Sequence, residues 1–135
     1  MKRNPFNNFS NIILYIMLTG FITSCLQKNS VTFDSDSWRS DINGCMEKRI
    51  GMYKEVLNNK NEILSLTNNQ LIRIMGNPDK YELLKRNQKF FIYNISPGNN
   101  CQNNSDVEPL FLIIRFNAVG LSSEVFIQNT LRIKN

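Results

Sequence analysis

The sequence predicts an α+β fold in which two N-terminal helices pack on a three- to four-stranded antiparallel β-meander. Three observations predict it. Apolar residues between Ile42 and Leu57 fall at steps of three and four, the spacing of one helical face. The segment from Thr67 to Pro78 carries both a start and a stop signal for a second helix. After Asp79 the period changes to two, and four alternating runs follow, separated by turn formers. Helices first and strands after, with short connections between neighbouring strands, is an α+β order.

The first helix is expected within "SDSWRSDINGCMEKRIGMYKEVLNNK", where Ile42, Met46, Ile50, Tyr53, Val56 and Leu57 would share a buried face. Ser37, Ser40 or Asp41 is placed to cap its start, and Asn58-Asn59 to end it. Gly44 and Gly51 each weaken it by about 1 kcal/mol relative to Ala, so packing must contribute to its stability. The second helix opens on Thr67-Asn68-Asn69-Gln70, which fits the capping box: hydroxyl and amide each satisfy an N–H the helix cannot. Leu66 and Leu71 are spaced as its hydrophobic staple. It runs through Ile74 and Met75 to Gly76, suited to a left-handed cap, and Pro78 forbids continuation.

The strands read as Tyr81 to Leu84, Lys89 to Ile95, Leu110 to Phe116 and Ser122 to Gln128, the first being the weakest. In the third, Leu110, Leu112, Ile114 and Phe116 share one face, and Phe111, Ile113 and Arg115 the other. Asn117-Ala118-Val119-Gly120 suits a type I turn, with Asn first and Gly fourth. Ser96 to Pro109, "SPGNNCQNNSDVEP", is the one long connection; it is Asn-rich and holds Cys101.

The first thirty residues follow a different logic. Lys2 and Arg3 precede an apolar run from Ile12 to Ile22, about half of the ~20 residues a membrane-spanning helix needs. A basic start, a short apolar core and small residues beyond it are the layout of a secretory signal. A buried N-terminal helix is the alternative, but the run is apolar all round and nothing flanks it as a cap. Ile22-Thr23-Ser24-Cys25 resembles the bacterial lipobox. That resemblance implies diacylglycerol on the Cys25 thiol, cleavage before Cys25 and acylation of the new amino terminus. Two or more chains anchor durably where one does not. The expected organisation is then residues 1–24 as signal peptide, 25–36 as lipidated cysteine and tether, and 37–135 as the domain. In enterobacterial lipoproteins an Asp after the lipidated Cys retains the protein at the inner membrane. Leu26 stands there, which by resemblance favours the outer membrane, with the domain facing the periplasm.

Three cysteines remain to be divided. With Cys25 lipidated, Cys45 and Cys101 form an even remainder, which in an exported chain reads as a disulfide. The loop they would close spans about 56 residues, for which chain entropy gives about 4 kcal/mol. Two unpaired buried thiols are the alternative. A four-ligand zinc site is excluded, since no His occurs and only two thiols are left.

Catalysis finds little support. The chain has no His, no Ser or Cys has an evident base, and no catalytic residue, cofactor, metal or small-molecule substrate is expected. Asp34, Asp36 and Asp41 cluster, but an EF-hand would need an oxygen ligand where Trp38 stands and a Gly where Arg39 stands. Capping is the simpler role. Net charge is +5, part of it in the leading segment, too mild and dispersed for nucleic acid. Lys85-Arg86 and Lys89 beside Phe90-Phe91 read as a charged hairpin turn over core aromatics, or as a surface for anionic headgroups. Trp38 and Arg39 are the candidate partner-binding pair, as a hot spot near a helix start. Alternatively they pack over the helix end, with Arg39 pairing Asp41 or Glu47.

The order of elements, with "LIRIMGNPD", "FFIYNI" and "FLIIRFNAVGLSSEVFI", resembles the SmpA/OmlA (BamE-like) small outer-membrane lipoproteins. The matching positions are Ile74, Met75, Gly76 and Pro78, then Tyr93, then Phe116, Asn117 and Gly120. The resemblance covers residues 66–127. It implies a membrane-anchored, non-catalytic interaction module whose partners are outer-membrane assembly proteins. The long first helix with "WRSDINGC" and the Cys45–Cys101 pair depart from the usual pattern. A peptide- or enzyme-binding, inhibitor-like domain of the same fold is the second expectation.

Overall fold

The computed structural model describes residues 31–84, 88–99, 101–102 and 107–131. The signal, Cys25 and residues 26–30 of the tether lie outside them, as do Lys85 and Arg86. Three helices, α1 (Ser35–Ser40), α2 (Lys48–Asn58) and α3 (Asn68–Met75), precede four strands. These are β1 (Lys80–Leu84), β2 (Gln88–Asn94), β3 (Phe111–Phe116) and β4 (Ser122–Gln128), and the sheet runs β1-β2-β3-β4, each pair antiparallel. The α+β class and the meander are as the sequence predicts.

The single long first helix is not. Asn43 (φ 57), Gly44 (φ 69) and Glu47 (φ 58) all sit at positive φ and break it into α1, a 3₁₀ turn at Ile42–Gly44, and α2. The break is tertiary in origin. Gly44 lies so close to the chain at Ser96 that a Cβ would stand 2.7 Å from the Ser96 carbonyl oxygen. With the turn interposed, the expected apolar face holds only in its second half: Ile42 is 67% exposed and Met46 61%, whereas Val56 is buried and Tyr53 and Leu57 pack against the core. Trp38 and Arg49, outside the expected face, are buried as well.

Capping explains how such short helices persist. Asp34 Oδ1 accepts from the N–H groups of Asp36 and Ser37 at the start of α1. Asp41 reaches across the break, its carboxylate accepting from Met46 N–H at 2.7 Å and Arg49 N–H at 2.8 Å. Thr67 and Gln70 form the predicted box at α3, with both reciprocal bonds present. Gly76 ends α3 at φ 75, ψ −179, which is positive φ as expected but extended rather than left-handed helical.

The sheet's two faces separate as the alternation predicts. Phe91, Tyr93, Leu112, Ile114 and Phe116 join Trp38, Val56, Ile63, Leu71 and Met75 in the main core. Phe90, Ile92 and Ile113 make a second buried cluster, flanked by Leu84, Phe111 and Phe126. The β3–β4 turn closes with Gly120 N–H on Asn117 O at 3.0 Å, and Asn117 Oδ1 accepts from Val119 and Leu121. The outer edge of β4 is partly used by the chain itself: Ser65 N–H donates to Ser122 O, and Ser122 N–H to Leu66 O.

Candidate functional site

The site is built around a buried ion pair. Arg49 and Asp79 have side chains 1% and 3% exposed and meet at 2.5 Å. Arg49 also donates to Trp38 O at 3.1 Å and Asn94 O at 3.2 Å, and its guanidinium lies 5.4 Å from the ring centres of both Trp38 and Tyr93. A buried charge needs a partner and filled hydrogen-bonding positions, and backbone groups fill those that the pair leaves open. Asp79 accepts from Asn43 N–H at 2.9 Å and Asn94 N–H at 2.7 Å. One carboxylate therefore holds the broken first helix, the start of β1 and the end of β2 together.

Tyr93 completes the node. Its hydroxyl donates to Gly76 O at 2.9 Å, tying β2 to the end of α3. Burial pushes the Tyr93 phenol well above its ordinary value, with the Arg49 charge opposing and Asp79 reinforcing. The Trp38 indole N–H is buried with no hydrogen-bond partner among the described residues.

A groove of about 570 Å³ opens beside this node, within the size range of small-ligand sites. It crosses the strand ends: Lys80 opens β1, Asn94 ends β2, Phe111 opens β3, and Asn129 follows β4. Asn43, from the helix break, and Pro97 to Asn99, from the long connection, complete the lining. Cys45 and Cys101 are joined in a disulfide, Cα–Cα 5.4 Å, which pins that connection to the turn carrying Asn43. Gly98 N–H also donates to Asn43 O at 3.0 Å. The two charged groups in the lining are both matched, Asp79 by Arg49 and Lys80 by Glu82 at 2.7 Å.

The disulfide is thus present between the two cysteines the sequence pairs. Of the two readings of Trp38, packing is the one observed and the partner hot spot is not: the side chain is fully buried, edge-on against Phe33 and Tyr93. Its position under Arg49 leaves no surface for a partner. Arg39 is exposed, but it pairs with Asp36 and donates to Arg73 O at 2.8 Å, rather than pairing with Asp41 or Glu47. The structure therefore does not bring Trp38 and Arg39 together as a surface patch. Lys89 sits over the rings of Tyr81, Phe91 and Phe116, within 5.4 to 5.9 Å.

Sequence reading missed Arg49, Asp79 and the asparagines around them. A signal for Arg49 existed: it stands four residues before Tyr53 and seven before Val56, on the stripe that α2 buries. Asp79, after Asn77-Pro78, looks like part of a turn. Among the described residues, no group of three metal-ligating side chains is assembled, and no helix is long and apolar enough to cross a membrane. Comparison with protein-family models, characterised proteins and solved structures finds no match to this chain.

Proposed function

We propose that this chain is a bacterial envelope lipoprotein: a non-catalytic interaction module held to the membrane by lipid on Cys25. On this reading residues 1–24 are a cleaved signal, Cys25 carries the lipid, and the domain faces the periplasm from the outer membrane; the tether is shorter than residues 25–36, since Phe33 packs in the core and α1 begins at Ser35. The observation that carries it is the division of the three cysteines. Cys45 and Cys101 bond each other, as suits an oxidising compartment. That leaves Cys25, at the end of the apolar run, as the one thiol the lipid-attachment pattern requires.

Kinship with the SmpA/OmlA (BamE-like) family is part of the proposal. Its support is the sequence motifs, two of whose positions touch: Gly76 ends α3, and Tyr93 on β2 bonds to its carbonyl. On that kinship the partner is an outer-membrane β-barrel assembly protein. The second reading is a peptide- or enzyme-binding domain, and the groove between the Asn-rich connection and the sheet favours it.

Crosslinking in native membranes, followed by purification of the tagged full chain, tests both. Recovery of barrel-assembly subunits above a Cys25→Ala control supports the family role. Recovery of soluble envelope proteins alone supports the second reading, and recovery of nothing contradicts an interaction module.

A further inference from the structure

Resting on the reading of this domain as a binding module, we propose that the groove at the strand ends takes a neutral oligosaccharide rich in hydroxyl and acetamide groups. Four asparagines, at 43, 94, 99 and 129, line it. Each carboxamide offers a donor and an acceptor side by side, the pattern that pairs of ring hydroxyls or an acetamide complement. Phe111, half-buried in the lining, supplies the apolar surface on which a sugar ring lies.

Charge selects among ligands. Among the described lining residues the carboxylate of Asp79 is buried in its pair with Arg49, and the Lys80 ammonium is shared with Glu82, so neutral groups make up most of what a ligand meets. Geometry selects further. A peptide bound by strand addition needs the open flank of a strand, whereas this groove runs across the ends of all four, where side chains do the contacting. The recognition groups are also held in advance. Asp79 fixes the backbone N–H of both Asn43 and Asn94, and the disulfide fixes the long connection. Fixing them before binding lowers the ordering cost that weak, polar ligands otherwise fail to meet.

Gly98 gives the means of a clean test. A Cβ there would stand 2.6 Å from Asn94 Nδ2, the far end of a side chain, so Gly98→Ala swings that amide aside. The experiment titrates the full chain, in detergent micelles, with an N-acetylglucosamine tetramer and follows the side-chain amide resonances by NMR. The amides of Asn43, Asn94 and Asn129 should shift together and saturate. Asn94→Ala and Gly98→Ala should each weaken binding about tenfold, the worth of one or two neutral hydrogen bonds, with the backbone spectrum otherwise kept. Absence of saturable shifts, or unchanged affinity in both variants, overturns the proposal. So does a short peptide moving the same amides where the tetramer does not. If the tetramer fails while membrane crosslinking still recovers a protein partner, the ligand class falls and the binding-module reading stands.

Discussion

Arg49→Met removes the cation from the centre of the domain and should be among its most damaging single substitutions. Breaking a buried pair by deleting one partner costs about 3–5 kcal/mol, because the other charge stays behind unpaired. Asp79 would keep two N–H donors, at 2.9 and 2.7 Å, which softens the loss. Against that, the carbonyls of Trp38 and Asn94 each lose a donor, and two aromatic faces lose a cation at 5.4 Å. The balance is about 4 kcal/mol, a large share of the ~5–15 kcal/mol that holds a domain folded. In urea, at a slope of about 2 kcal/mol per molar, the midpoint should fall by about 2 M. Adding Asp79→Asn removes the stranded charge, so the double variant should recover about 1–2 kcal/mol relative to Arg49→Met alone. A loss below about 1 kcal/mol for Arg49→Met, or full addition of the second substitution, would refute the reasoning that this pair is the domain's electrostatic centre.

Cys101→Ser should cost about 4 kcal/mol in the same urea assay; reductant should lower the parent protein equally and leave the variant unmoved. The glycines should split in sign. Gly76→Ala forces a side chain into φ 75, ψ −179, with its Cβ 3.1 Å from Arg39 Cγ, and should destabilise by about 1–3 kcal/mol. Gly51→Ala, in the interior of α2 with nothing within 4 Å, should stabilise by about 0.5–1 kcal/mol. Acid should release the start of the domain. Thr32 donates to the Glu62 carboxylate through its hydroxyl, the larger cause, and its backbone N–H at 2.9 Å, holding Glu62 below its ordinary 4.5. A depressed carboxylate contributes stability that is present above its unfolded value and lost as pH falls through the folded one. The Thr32 amide resonance should therefore stay fixed at neutral pH and titrate only below 4.5, and Glu62→Gln should abolish that titration. A midpoint at or above 4.5 would contradict the assignment.

What the sequence made legible was local. The capping box of α3 needs only residues 67 to 70, the meander only alternation and turn formers, and the disulfide only a count of cysteines. The first helix was misread because its break is not local. Gly44 turns where the chain near Ser96 presses on it, and Asn43 turns where Asp79, 36 residues on, claims its N–H. Trp38 was left between surface and packing for the same reason: a Trp among Ser and Asp is settled only when Arg49 lies against it. The groove is less legible still, since its walls come from the helix break, the long connection and all four strand ends, and only the fold gathers them.

On the proposed function, this domain works from a lipid anchor on Cys25. Intact mass spectrometry of the C-terminally tagged chain, extracted from membranes, tests it most directly. The expected polypeptide begins at Cys25 and carries the mass of a diacylglyceryl group and a further acyl chain. A chain that retains residues 1–24, or one that begins elsewhere with Cys25 unmodified, would contradict it.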